Sequence, residues 1–272
     1  MDIRRRMMMS KVVSSGGSGG TSGINIDDYL TIEALENGLI ASLSTNGFEY
    51  CIDGDGNWKT VAANVSTESI NAGQTMSLRC SNPTIVATTG IGTFTISKKC
   101  NLKGNCMSML FGDAGKDNFS LSGKNYCFYG LFKSSTTIQS VSSGFLPATT
   151  LSNNCYYSMF NSCPSLTTAP ALPATTLSNS CYYYMFAGCT SLTTAPDLPA
   201  LTLVSYCYRY MFYGCSKLNY IKAMFTTTPS SSYTGNWVSG VASKGTFVKN
   251  KDATWNVTGA NGVQYGWTVI KE

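Results

Sequence analysis

Three near-copies of one 26-residue stretch begin at Leu146, Leu172 and Leu198, reading LPATTLSNNCYYSMFNSCPSLTTAPA, LPATTLSNSCYYYMFAGCTSLTTAPD and LPALTLVSYCYRYMFYGCSKLNYIKA. No copy can bury its Leu, Met, Phe and Cys alone, so the copies must stack and share a core. The tightest feature, a Cys followed five positions later by Phe, also occurs upstream as Cys106/Phe111 and Cys127/Phe132, which makes five units. Successive cysteines lie 21, 28, 26 and 26 residues apart, so the two early units differ in their loops but keep the packed positions.

Within one unit, Cys181, Met185 and Cys189 fall at i, i+4 and i+8. This spacing predicts one face of a short helix, capped by Ser178 or Asn179 and ended by Gly188. Leu192 then opens a Thr-rich stretch interrupted by Pro196 and Pro199, which suits a short strand and a polyproline-like connection. The expected unit is strand, bend, short helix, with Leu166, Leu192 and Leu218 at equivalent buried strand positions.

The segments MFNSCPSL, MFAGCTSL and MFYGCSKL resemble the MF-x-x-C-x-x-L signature of Bacteroides-surface-protein-type (BspA-like) leucine-rich repeats. The resemblance covers roughly residues 100–225, and the LPATTL unit departs from the commoner, shorter repeat. WVSGVASKGTFVKN and GWTVIKE also resemble the tail that follows such repeats in proteins of Bacteroides-type gut bacteria and their phages. The expected fold is α/β, a leucine-rich-repeat solenoid of about five units over 98–225. It would lie between a small β domain at 24–97 and a C-terminal β cap at 226–272. Proteins of this family are mostly adhesins and surface or virion proteins.

The formal charge of +5 is concentrated at one end: Arg4, Arg5, Arg6 and Lys11 supply four of the nineteen basic residues. The body is nearly neutral, so no nucleic-acid partner is expected. Residues 1–13 lack the apolar core and cleavage site of a signal peptide. No 18-residue apolar stretch follows, so no membrane insertion is expected. The Gly/Ser-rich linker at 14–23 spans about 18 Å as a random coil. Together, residues 1–23 make a candidate anchoring arm, carried by Arg4, Arg5, Arg6, Met7, Met8 and Met9.

From 24 to 97, short alternating apolar runs punctuated by Asn46-Gly47 and Gly54-Asp55-Gly56 predict strands. Asp53, Asp55 and Asn57 begin like a calcium loop, but Trp58 and Asn64 stand where an EF-hand needs Gly and Glu, which favours a hairpin turn. Downstream of the repeats, GTFVK and GWTVI predict two strands with Asn261-Gly262 as a tight turn between them. The eleven cysteines include no C-x-x-C pair and the chain has no histidine, so structural zinc patterns are absent. Cys155, Cys181 and Cys207 form one expected ladder and Cys163, Cys189 and Cys215 another, as small buried hydrophobes with free thiols.

Without histidine the usual general base is missing. Between Lys133 and Arg209 the only charged residue is Asp197, which leaves no carboxylate pair for glycoside hydrolysis. Asp113 and Asp117 suit loop solvation better than catalysis. Neither enzymatic activity nor a cofactor is expected. The same stretch is rich in tyrosine: Tyr156, Tyr157, Tyr182, Tyr183, Tyr184, Tyr206, Tyr208 and Tyr210. Such residues either stack between units or form a ligand face for a host surface glycan or protein, and at least one per unit must face outward. The expected function is a phage virion component, a fibre, decoration or receptor-contacting protein held to other virion proteins by its arm. By resemblance a fibre would be trimeric. The alternative is a bacterial cell-surface adhesin of the same repeat family, with an intracellular scaffold third.

Overall fold

The computed structural model of the protein describes residues 23–44, 46–81 and 90–272; the candidate arm, Arg4 to Met9, lies outside them. The N-terminal alternation becomes strands β1 (Leu30–Ala34), β2 (Ala41–Leu43), β3 (Phe48–Ile52), β4 (Lys59–Val61), β5 (Thr75–Cys80), β6 (Phe94–Ile96) and β7 (Cys100–Gly104). Together with β8 (Ile138–Val141), most of these form a six-stranded sheet in the order β4-β3-β5-β1-β7-β8. Its pairings are antiparallel except β7 with β8, where the sheet passes in parallel into the repeated region. Strands β2 and β6 form a separate antiparallel pair. Leu30, Ile32 and Ala34 on one face of β1 are all buried, and Thr31 on the other face is buried as well, as suits a central strand of the sheet.

The copies do not make the expected α/β leucine-rich-repeat solenoid. The described chain is largely β, in three sheets, and its α-helices are two single turns, α1 (Ser108–Phe111) and α2 (Ser231–Thr234). No helix forms over 181–189 and no strand contains Leu192. In each copy the Cys-Met-Phe segment is instead a run of consecutive turns. Every fourth residue is left-handed: Asn154, Ser158 and Ser162, then Ser180, Tyr184 and Gly188, then Tyr206, Tyr210 and Gly214, with φ from 54° to 76°.

Backbone hydrogen bonding explains the difference. A helix would send each N–H to the carbonyl four residues back. Here Tyr157 and Met159 reach back only three, to Asn154 and Tyr156, at 3.2 Å each. The intervening Tyr156, Ser158, Phe160 and Ser162 donate to Cys181, Tyr183, Met185 and Ala187 of the next copy at 2.7–3.0 Å. Half of the amide bonds therefore lie between copies, and stacking is required for the backbone to be satisfied at all.

A period of four puts two residues in and two out, so the buried side chains line up across copies. Phe128, Tyr156, Tyr182 and Tyr208 stack at ring separations of 5.7–5.9 Å. Phe94, Phe132, Phe160, Phe186 and Phe212 stack beside them at 5.5–6.0 Å. Each such pair contributes about 0.5–1.5 kcal/mol beyond its area burial. Because Phe94 belongs to β6, the second column runs from the N-terminal sheets into the copies, and one hydrophobic core serves both. Leu166, Leu192 and Leu218 are fully buried in the same core.

The 26-residue register continues past the last copy recognisable in sequence. Strand β9 (Tyr220–Ala223) pairs in parallel with β10 (Thr246–Lys249), Tyr220 opposite Thr246. The far side of β10 carries β11 (Thr268–Lys271), also in parallel, so GTFVK and GWTVI are not the hairpin that Asn261-Gly262 suggested. Parallel neighbours need a crossover, and residues 250–267 supply it. Trp237 closes both aromatic columns, 6.3 Å from Tyr208 and 6.2 Å from Phe212. Its indole N–H donates to the Gly262 carbonyl at 2.8 Å, as those of Trp255 and Trp267 do to Phe225 and Ala242.

Candidate ligand-binding face

The turn pattern divides the candidate tyrosines. Tyr156, Tyr182 and Tyr208, each directly after a ladder cysteine, are at most 2% exposed and cannot meet a ligand. The residue after each of them faces outward, giving a surface column of Tyr129, Tyr157 and Tyr183 with ring separations of 5.1 and 4.8 Å. Arg209 stands in the fourth place of that column. One position further on, Tyr184 and Tyr210 stack at 4.6 Å with planes 4° apart. Tyr206 and Tyr213 border them, both more than 40% exposed.

The face is therefore a strip of phenols. Between the columns lies a shallow depression of about 210 Å³ lined by Tyr129, Lys133, Tyr157, Ser158, Asn161 and Tyr184. Burial and the neighbouring phenols push Tyr157 up to about 12. At the other end, hydrogen bonds from Asn236 and Arg209 lower the pKa of Tyr210. The Arg209 guanidinium lies 5.1 Å from the Tyr206 ring and 5.2 Å from the Tyr210 ring, within cation–π range. Its Nε is buried without a hydrogen-bond partner.

Tyr126, Tyr129, Tyr213 and Arg209 are absent from the candidates read in the sequence. Tyr129 was findable, since it follows Cys127 by two positions as Tyr157 follows Cys155. Arg209 breaks the aromatic column, so composition alone hid it.

The other expected groups are engaged elsewhere. Asp53 accepts from the Thr75 N–H at 2.7 Å and from Gln74 at 2.8 Å, and Asp55 accepts from the Asn57 N–H at 2.9 Å. Asp113 pairs with Arg79 at 2.6 Å and accepts from the Tyr29 hydroxyl at 2.8 Å. All eleven cysteines are free thiols and all but Cys80 are buried. Cys163, Cys189 and Cys215 donate to the carbonyls of Phe132, Phe160 and Phe186 in the preceding copy at 3.0–3.1 Å, so this ladder is held by polar contacts as well as packing. Among the described residues no group of three His, Cys, Asp or Glu is placed to hold a metal ion, and no helix is long and apolar enough to cross a membrane.

Compared with known protein families, curated proteins and solved structures, the chain matches none of them.

Proposed function

We propose that this chain is a non-enzymatic attachment protein whose tyrosine strip contacts a surface ligand, a glycan or a protein. The observation that carries this reading is the strip itself: outward phenols in register over successive copies, next to Ser158, Asn161 and Asn236, on a rigid stacked scaffold. Tyrosine offers a large, stiff contact area with a polar tip, at little cost in side-chain entropy. The MF-x-x-C-x-x-L segments resemble repeats of surface and virion proteins, and residues 1–13 lack a signal-peptide pattern; together these support reading the protein as a phage-particle component, a fibre, decoration or receptor-contacting protein. Residues 1–23 would anchor it to other virion proteins.

The test is attachment by a variant carrying Tyr157→Ser, Tyr183→Ser and Tyr184→Ser. Binding to host cells should fall at least tenfold with a folded body, because aromatic anchors dominate such interfaces. Unchanged attachment by the folded variant would remove the strip as the contact surface.

A further inference from the structure

The strip has a charge asymmetry that its tyrosines do not explain. Lys133 lies at one end of it and Arg209 at the other. Between them the sequence holds a single charged residue, Asp197, which acts on Lys222 beside the strands and not on the strip. The groups that face Arg209 are the phenols of Tyr183, Tyr206 and Tyr210, with no carboxylate among them.

Arg209 is also held in place. Its guanidinium rests against two rings, and Gly235 leaves it room: a Cβ there would come within 3.2 Å of the Arg209 Nε and 2.6 Å of the Ser231 carbonyl. A guanidinium fixed by aromatic faces loses little freedom when it takes a carboxylate in a two-pronged contact. Lys133 and Arg209 belong to copies three apart, about 14 Å along the stack at ~4.8 Å per copy, and they are offset across the face as well, because Lys133 holds the place of Tyr213 and not that of Arg209.

We propose that the strip binds an acidic polysaccharide, a chain of uronic or sialic acid type, with a sugar carboxylate on Arg209, a second near Lys133 and the sugar hydroxyls on the phenols between. This rests on the attachment reading and names its ligand class. Two cations separated by three copies, at least about 14 Å, on an otherwise neutral, hydroxyl-rich surface match a chain whose charges are separated by neutral rings. A densely charged acidic peptide would leave most of its carboxylates unpaired here.

The experiment measures binding of the full-length protein to polygalacturonate, to neutral dextran and to polyglutamate. Four variants accompany the wild type: Arg209→Gln, Arg209→Lys, the triple tyrosine-to-serine protein, and Lys251→Gln as a charge control far from the strip. The wild type should prefer polygalacturonate over dextran at least tenfold. Arg209→Gln should erase most of that preference, with Arg209→Lys keeping part of it and Lys251→Gln all of it. Rising salt should weaken polygalacturonate binding by the wild type, a readout that does not depend on any variant folding.

Equal binding of both polysaccharides, lost in the triple variant, would overturn the acidic ligand and leave the attachment strip standing. Binding of polyglutamate alone, lost in Arg209→Gln, would overturn it in favour of an acidic protein partner. Polysaccharide binding that the triple variant keeps would overturn the strip itself.

Discussion

At the scale of single residues, left-handed backbone positions recur at the same place in successive copies, and their occupants differ. Ser162 has φ of 58°, while the equivalent positions hold Gly188, Gly214 and Gly240. A non-glycine residue pays about 1–2 kcal/mol in that region, and glycine loses about 0.5–1 kcal/mol of chain entropy. The balance favours glycine, so Ser162→Gly should raise unfolding free energy by about 0.5–1 kcal/mol in a urea titration. A loss of stability would show that the Ser162 side chain contributes more than its strain costs. Tyr156 offers an independent test, because its buried hydroxyl has no partner. A buried unsatisfied polar group costs about 1–3 kcal/mol, and Phe128 occupies the preceding place in the same column. Tyr156→Phe should therefore raise Tm by a few degrees in a thermal scan, and a lower Tm would mean the hydroxyl is satisfied.

At the scale of elements, the copy is a run of turns whose alternate amides bond to its neighbour, and two outcomes follow. Far-UV circular dichroism should lack a helical band of the size that five short helices would produce, since α1 and α2 are single turns. A strong helical signal would reinstate the expected helices. Because every copy depends on the next for hydrogen bonds, damage to one should spread. Leu192 is fully buried, and Leu192→Asp places an unpaired charge among apolar side chains. Broad loss of folded protein is expected, and a normal melting curve would remove Leu192 from the shared core.

At the scale of the whole molecule, the thiols and phenols of the core make stability depend on alkaline pH. Burial pushes Cys155, Cys163, Cys207 and Cys215 from an ordinary value of 9.0 up to about 12, and holds Cys106, Cys127, Cys181 and Cys189 well above that ordinary value too. Below pH 9 both folded and unfolded chains keep these protons. Above it the unfolded chain releases them while the folded chain does not, so stability falls as pH rises toward 12. Each thiol costs about 1.4 kcal/mol per pH unit in that window. Lys249, lowered first by burial and then by Lys271, acts in the opposite direction, but it is one group against many. The urea midpoint should hold level to pH 9 and collapse by about pH 11; a flat profile to pH 11 would mean that the core thiols are not buried in solution.

Much of the core was legible in the sequence. The copy register, the ladder cysteines and the equivalent Leu166, Leu192 and Leu218 follow from side-chain spacing, because burial pattern is written along the chain. The form of the turn segment was not legible: Cys181, Met185 and Cys189 at intervals of four fit a helix face and a four-residue turn run equally well. The choice between them depends on where the amide hydrogens go, and for half of them the acceptor lies in another copy. The same geometry sorted the tyrosines, sending Tyr182 inward and Tyr183 outward, and brought Arg209 into their column. Sequence by itself determined what must be buried, while only the tertiary structure decided how the backbone turns to bury it and which side chains are left to meet a ligand.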